Sequence, residues 1–143
     1  MKASTIMRMA GGLFFGLLVA TALGACSLDK QKGPEIANLV YIPMQAPAEE
    51  GKTVALNGTF NVEQRTGEIV SVRTVVYDAQ GKEVASATIP LDDPGLRTAD
   101  TLGFGVEVST AKKGDYTFQV AVTDGKGKLS NKLEGTFAVT DLF

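Results

Sequence analysis

Histidine and tryptophan are absent from the 143 residues, and cysteine occurs once, at position 26. Without histidine, and with a single thiol, the usual routes to nucleophilic catalysis and to zinc or copper sites are closed. Carboxylate, lysine, tyrosine and serine chemistry is what remains. An excess of cations is missing too: the 14 Lys and Arg face 16 Asp and Glu, a net charge of −2. Lys2 and Arg8 are the only charges before Cys26, so the rest of the chain holds 12 cations against 16 anions. That mildly acidic remainder argues against a nucleic-acid partner. No internal repeat of solenoid length and no convincing amphipathic helix appears.

What is present begins with Lys2 and Arg8, followed by the uncharged, mostly apolar run from Met9 to Ala25. A positive start, an apolar middle and small residues before a boundary are the parts of an export signal. Leu23, Gly24, Ala25 and Cys26 then resemble the lipobox of bacterial lipoproteins. The resemblance implies removal of residues 1–25 and a covalent lipid on Cys26, with no other cofactor expected. Small side chains at Gly24 and Ala25 let a peptidase approach the backbone, and the thiol is the nucleophile for a thioether-linked lipid. Two plainer readings stay open: an uncleaved anchor helix over Met9 to Leu28, and an ordinary cleaved signal followed by a stray cysteine. In Gram-negative lipoproteins an aspartate after the cysteine favours the inner membrane. Ser27 stands there in this chain, so the resemblance implies the outer membrane, with either leaflet possible.

Residues 26–33 read as a tether, because Asp29, Lys30 and Lys32 carry no apolar periodicity beyond Leu28. Residues 34–143 alternate at period two, with Gly, Pro, Asp and Asn punctuation about every ten residues. This predicts one all-β domain, a sandwich of about seven strands. The strands are predicted over Ile36 to Ile42, Thr53 to Val62, Ile69 to Tyr77, Glu83 to Leu91, Phe104 to Ser109, Tyr116 to Thr123, and a last one carrying Leu133, Phe137 and Val139. Pro43 and Pro47 are expected to break pairing after the first strand. Val70, Val72 and Val76 are expected to share the inner phase of the third. Residues 92–103 are expected to form a loop opened by the Asp92-Asp93-Pro94-Gly95 turn.

Val72 to Gly81, reading V-R-T-V-V-Y-D-A-Q-G, and Gly114 to Asn131, reading G-D-Y-T-F-Q-V-A-V-T-D-G-K-G-K-L-S-N, resemble the Ig-like, PKD-like modules of bacterial surfaces. Gly114-Asp115-Tyr116 is similar to the tyrosine corner of Ig domains, with Phe118 where the second disulfide cysteine would lie. The resemblance implies an antiparallel Ig-like β-sandwich and leaves function open.

Ig-like strand order groups the tether with residues 63–68, 92–103 and 124–127 at one pole, beside the bilayer. Residues 45–52, 78–82, 109–114 and the C-terminus fall at the opposite, distal pole. Glu49, Glu50, Gln80, Lys112 and Lys113 are therefore the candidate binding residues. Asp92, Asp93, Asp100 and Asp124 are weighed as a calcium cluster, but Asp before Pro or Gly is ordinary turn chemistry and no metal is expected. Val75 and Tyr77, opposite in phase to the core set, form either a partner patch or a face covered by the neighbouring strand. Leu142 and Phe143 are read as a docked strand end.

No catalytic residues are assigned. The composition argues against an enzyme, and with the lipobox resemblance it implies a non-enzymatic, lipid-anchored envelope protein that binds or scaffolds a protein or an envelope polysaccharide. The alternatives are a structural accessory subunit of an envelope assembly or secretion complex and, less favoured, a carboxylate-dependent hydrolase, which needs two carboxyls held in a cleft.

Overall fold

The computed structural model describes residues 32–141. The expectations for residues 1–31, among them Leu23, Gly24, Ala25 and Cys26, and for Leu142 and Phe143 lie outside the described residues. Eight strands and one helical turn follow: β1 (Glu35–Ile42), β2 (Gln45–Pro47), β3 (Thr53–Gln64), β4 (Ile69–Tyr77), β5 (Glu83–Pro90), α1 (Pro94–Arg97), β6 (Thr101–Ser109), β7 (Gly114–Asp124) and β8 (Leu133–Thr140). They form an Ig-like β-sandwich of two sheets, β1-β3-β6 and β2-β8-β7-β4-β5.

Alternation drives this arrangement. In β3, Leu56, Phe60 and Val62 are buried while Asn57 and Thr59 are exposed; in β7, Tyr116, Phe118, Val120 and Val122 are buried. These side chains, with Leu102, Phe104, Val106 and Val108 of β6 and Phe137 and Val139 of β8, fill the space between the sheets. Burying them removes apolar surface from water, the dominant favourable term in folding.

Three expectations are corrected. Residues 45–47 pair with β8 in parallel, Gln45 opposite Ala138 and Pro47 opposite Thr140, so the proline-flanked break holds an eighth strand. A strand of three residues at a sheet edge tolerates a terminal proline, because the missing N–H need not face a partner. In β4 a bulge between Ile69 and Ser71 shifts the phase, so Ile69 is buried and Val70 only half-buried. Residues 94–97 form α1, with Asp93 as N-cap and Pro94 at its start, and β6 begins at Thr101, two residues before the expected loop end.

The first strand serves both sheets. Its backbone pairs with β3, Ile36 opposite Val62 and Tyr41 opposite Gly58. Tyr41 Oη donates to Thr136 O at 2.6 Å and accepts from Thr136 N–H at 3.0 Å. Asn131 does the same for Ile36: its Oδ1 accepts from Ile36 N–H at 2.8 Å and its Nδ2 donates to Ile36 O at 2.9 Å. After Ile42 the chain passes a cis Pro43 and joins the larger sheet as β2. Tyr41 also sets its ring edge against Phe118, with centroids 4.8 Å apart. Gly135, opposite Phe118 in the β7–β8 ladder, leaves room for both rings.

Register also decides which loops meet. The pairs Glu35–Gln64, Asn61–Thr101 and Ile69–Asp124 bring the start of β1 to one pole with residues 65–68, 92–100 and 125–128. The pairs Thr53–Ser109, Tyr77–Thr117 and Gly114–Val139 gather residues 48–52, 78–82 and 110–113 at the other.

A Cβ at Gly135 would sit 2.5 Å from Phe118 Cζ and 2.9 Å from Tyr41 Cε1, whereas one at Gly125 meets nothing closer than 3.8 Å. Gly135→Ala is therefore expected to destabilise the fold by about 1–3 kcal/mol, as overpacking does. Gly125→Ala should cost less than half as much. Equal shifts of the two urea midpoints would contradict the packing described.

Candidate functional site

Two hairpin turns at opposite poles are built to one plan, D-A-Q-G-K at 78–82 and D-G-K-G-K at 124–128. In the first, Asp78 Oδ1 accepts from the N–H groups of Gln80 (2.9 Å) and Lys82 (3.0 Å). In the second, Asp124 Oδ1 accepts from those of Lys126 and Lys128, both at 2.9 Å. Gly81 and Gly127 have φ of 79° and 81°, left-handed values that explain glycine at the fourth position of each. An aspartate that gathers the turn's N–H groups and a glycine that permits its backbone make the D-x-x-G-K spacing legible.

These hydrogen bonds set the electrostatics. Asp78 is held below the usual carboxylate range, first by the Lys82 N–H, against burial, and further by the Gln80 N–H and the charges of Lys112 and Lys82. At Asp124 burial is the largest influence and pushes upward. It is outweighed by the Thr66 hydroxyl, the Lys128 and Lys126 N–H groups and the Lys128 charge, so this carboxyl also lies low. Burial raises Tyr116, and the charge of Asp78 adds to the effect. The Tyr116 hydroxyl donates to Lys112 O at 2.7 Å, closing a tyrosine corner four residues long.

At the expected distal pole, Asp78, Lys112 and Tyr116 line a hollow of about 180 Å³ with Val84, Ser109 and Ala111. Gln80 lies exposed in the adjoining turn. The Glu49 N–H donates to Thr110 O at 2.9 Å, which joins the 48–52 loop to the 110–113 loop. Lys113 Nζ lies 3.1 Å from an Asp141 carboxylate oxygen. Glu49, Glu50, Gln80, Lys112 and Lys113 thus share one end of the sandwich, spread over three loops rather than converging in a cleft.

Three of the aspartates of the opposite pole each have a partner of their own. Asp93 Oδ1 accepts from Gly95 N–H at 2.9 Å, Asp124 holds its turn, and Asp100 lies 3.6 Å from Arg65. Arg65 donates to the carbonyls of Arg97 and Ala99, and Arg97 Nε donates to Leu91 O at 2.7 Å. Among the described residues, no three His, Cys, Asp or Glu side chains gather where a metal ion would fit.

One larger feature was legible only in part from the sequence. The outer face of the five-stranded sheet carries a hollow of about 380 Å³, whose lining includes Arg73, Val75, Tyr77, Gln119, Ala121 and Lys132. Val75 and Tyr77 are half-buried there, side by side in phase on β4. Their outward phase was a signal. The wall supplied by Leu129 and Lys132 was not, because it depends on how residues 125–132 fold back, with Leu129 bridged to Thr123.

No protein-family model matches the chain, and none of the curated proteins does. Among solved structures it is similar to a glycosyl hydrolase family 2 member from Bacteroides cellulosilyticus (TM-score 0.53, 13% identity, 74% of this chain and 15% of that one). A β-glucuronidase of glycoside hydrolase family 2 gives TM-score 0.50 and 12% identity over 75% of this chain and 11% of that one. The PKD domain of an M14-like peptidase from a Thermoplasmatales archaeon is covered over 99% of its length and 78% of this chain, with TM-score 0.48 and 18% identity. The chain spans only a small part of the two glycoside hydrolases, and what it shares with them is the β-sandwich fold.

Both turn aspartates are held low in the folded state, so the stability they add is fully present above the unfolded value near pH 4 and is lost as pH falls through the folded values. The melting temperature should therefore drop as the pH falls below about 4. An Asp78→Asn, Asp124→Asn double variant, which keeps an acceptor oxygen but cannot titrate, should show a shallower drop. Parallel acid limbs for the two proteins would contradict the assignment.

Proposed function

We propose that the chain is a lipid-anchored, non-enzymatic binding or scaffolding module of a bacterial outer membrane, held through Cys26. The observation that carries the reading is the pole at which β1 starts. Glu35 pairs with Gln64, at the end shared with residues 65–68, 92–100 and 125–128. A tether from Ser27 to Gly33 extends at most about 25 Å, so a lipid on Cys26 keeps that pole close to a bilayer. The pole with Glu49, Glu50, Gln80, Lys112 and Lys113 then faces away and meets a protein or envelope polysaccharide through rigidly presented loops.

A diacylglycerol with an additional acyl chain would hold the domain permanently, which one chain alone does not do. A hydrolytic role finds no support in the two buried carboxyls. Asp78 and Asp124 sit in hairpin turns at opposite poles, each with Oδ1 accepting from two backbone N–H groups of its own turn, and Asp124 Oδ2 accepts from the Thr66 hydroxyl.

Intact-mass spectrometry of the protein extracted from membranes tests the anchor. The expected mass is that of residues 26–143 plus a thioether-linked diacylglycerol and an amide-linked acyl chain. A mass that retains residues 1–25, or a mature chain without lipid, would replace this reading with the anchor helix or the plain signal.

A further inference from the structure

Among the described residues, the three-stranded sheet ends at β6, whose second edge has no hydrogen-bonded strand. The orientation of that edge follows from two flanking bonds: Val62 N–H to Asp100 O at 2.8 Å and Thr110 N–H to Lys52 O at 3.0 Å. Even-numbered residues of β6 therefore turn their backbone groups toward β3, in an unbroken register from Thr53–Ser109 to Asn61–Thr101. Thr101, Gly103, Gly105, Glu107 and Ser109 turn theirs the other way. Among the described residues, no hydrogen bond engages those outward groups.

Exposed edges are ordinarily blunted by bulges, prolines or several charges. β6 has no bulge, no proline and one charge, Glu107. It also has two glycines that the fold does not require. Neither has a left-handed φ, and a Cβ would meet nothing closer than 3.5 Å at Gly103 or 3.8 Å at Gly105. Glycine inside a strand weakens it, and commonly marks the close approach of another backbone. β5, the neighbouring edge strand of the other sheet, has Glu83 at its start as its one charge, and its Ala87 shares a shallow hollow with Gly105 and Glu107.

We propose that β6 pairs antiparallel with β6 of a second copy about a two-fold axis through Gly105, joining two three-stranded sheets into one of six strands. The register that engages all five outward residues sets Gly105 opposite Gly105, Gly103 opposite Glu107 and Thr101 opposite Ser109. Each Glu107 then faces a glycine, so no like charges oppose, and the contact is self-complementary as a closed dimer requires. This pairing is independent of the lipid on Cys26, and its test reads association rather than anchoring.

Sedimentation velocity of the full chain in detergent, at protein concentrations up to about 1 mM, should show a dimer. Gly105→Lys sets two ammonium groups against each other on the axis and should weaken it at least tenfold. Gly105→Pro, which removes an outward N–H and spares the bonds to β3, should do the same, with an unchanged circular dichroism spectrum confirming the fold. Val40→Lys, on a residue 65% exposed in β1, should leave the dimer intact. On oxidation, Gly105→Cys should link two copies covalently, since Cα atoms about 5.5 Å apart suit a disulfide, with the unsubstituted chain as the blank. A monomer at every concentration, a dimer broken by Val40→Lys and not by Gly105→Lys, or a dimer that Gly105→Cys fails to link would overturn the proposal.

Discussion

The sandwich depends on its first strand, paired in one sheet, being tied by side chains to the other. β1 satisfies one edge of its backbone against β3. Two side chains then act as surrogate strand partners: Tyr41 completes the backbone groups of Thr136, and Asn131 completes those of Ile36. Each tie spans 95 residues and offers both a donor and an acceptor, so it fixes position as a ladder pair would. Because Tyr41 reaches across, Phe118 has a ring edge to pack against, and Gly135 must stay small. The closing of one side of the core and the place where the domain's N-terminal strand begins are thus one constraint.

Much of this fold was legible from alternation. Tyr116, Phe118, Val120 and Val122 declare the buried face of β7, and Leu56, Phe60 and Val62 that of β3, because an inward side chain at every second residue admits few other arrangements. The tyrosine corner was legible as well, since Gly114-Asp115-Tyr116 sits at the required distance from the core phenylalanine. β2 was not, because prolines at 43 and 47 read as breaks and three residues carry no periodicity. The Ile69 bulge was hidden for the opposite reason: Ile69 and Val70 are equally apolar, and only the pairing register chooses between them. Tyr41 and Asn131 left no trace either, since no local pattern encodes a contact with a backbone 95 residues away.

The candidate site was legible as a location and not as a chemistry. Antiparallel order suffices to sort the loops between two poles, so Glu49, Gln80 and Lys112 could be grouped from strand order alone. Their roles could not. The charge of Lys112 acts on Asp78, and Lys113 is taken up by Asp141. Of the aspartates considered for calcium, Asp93 caps a helical turn, Asp124 holds a hairpin and Asp100 lies beside Arg65. The hollow over Val75 and Tyr77 depends on a loop's return path, which composition does not specify.

The proposed attachment holds one pole at the bilayer through Cys26 and leaves the other free. Its most direct measurement places a fluorophore at Lys126→Cys or at Gln80→Cys in the lipidated protein, reconstituted in vesicles that carry a headgroup quencher. Attachment by that pole predicts strong quenching from position 126 and little from position 80. Equal quenching at both, or stronger quenching at position 80, would contradict it.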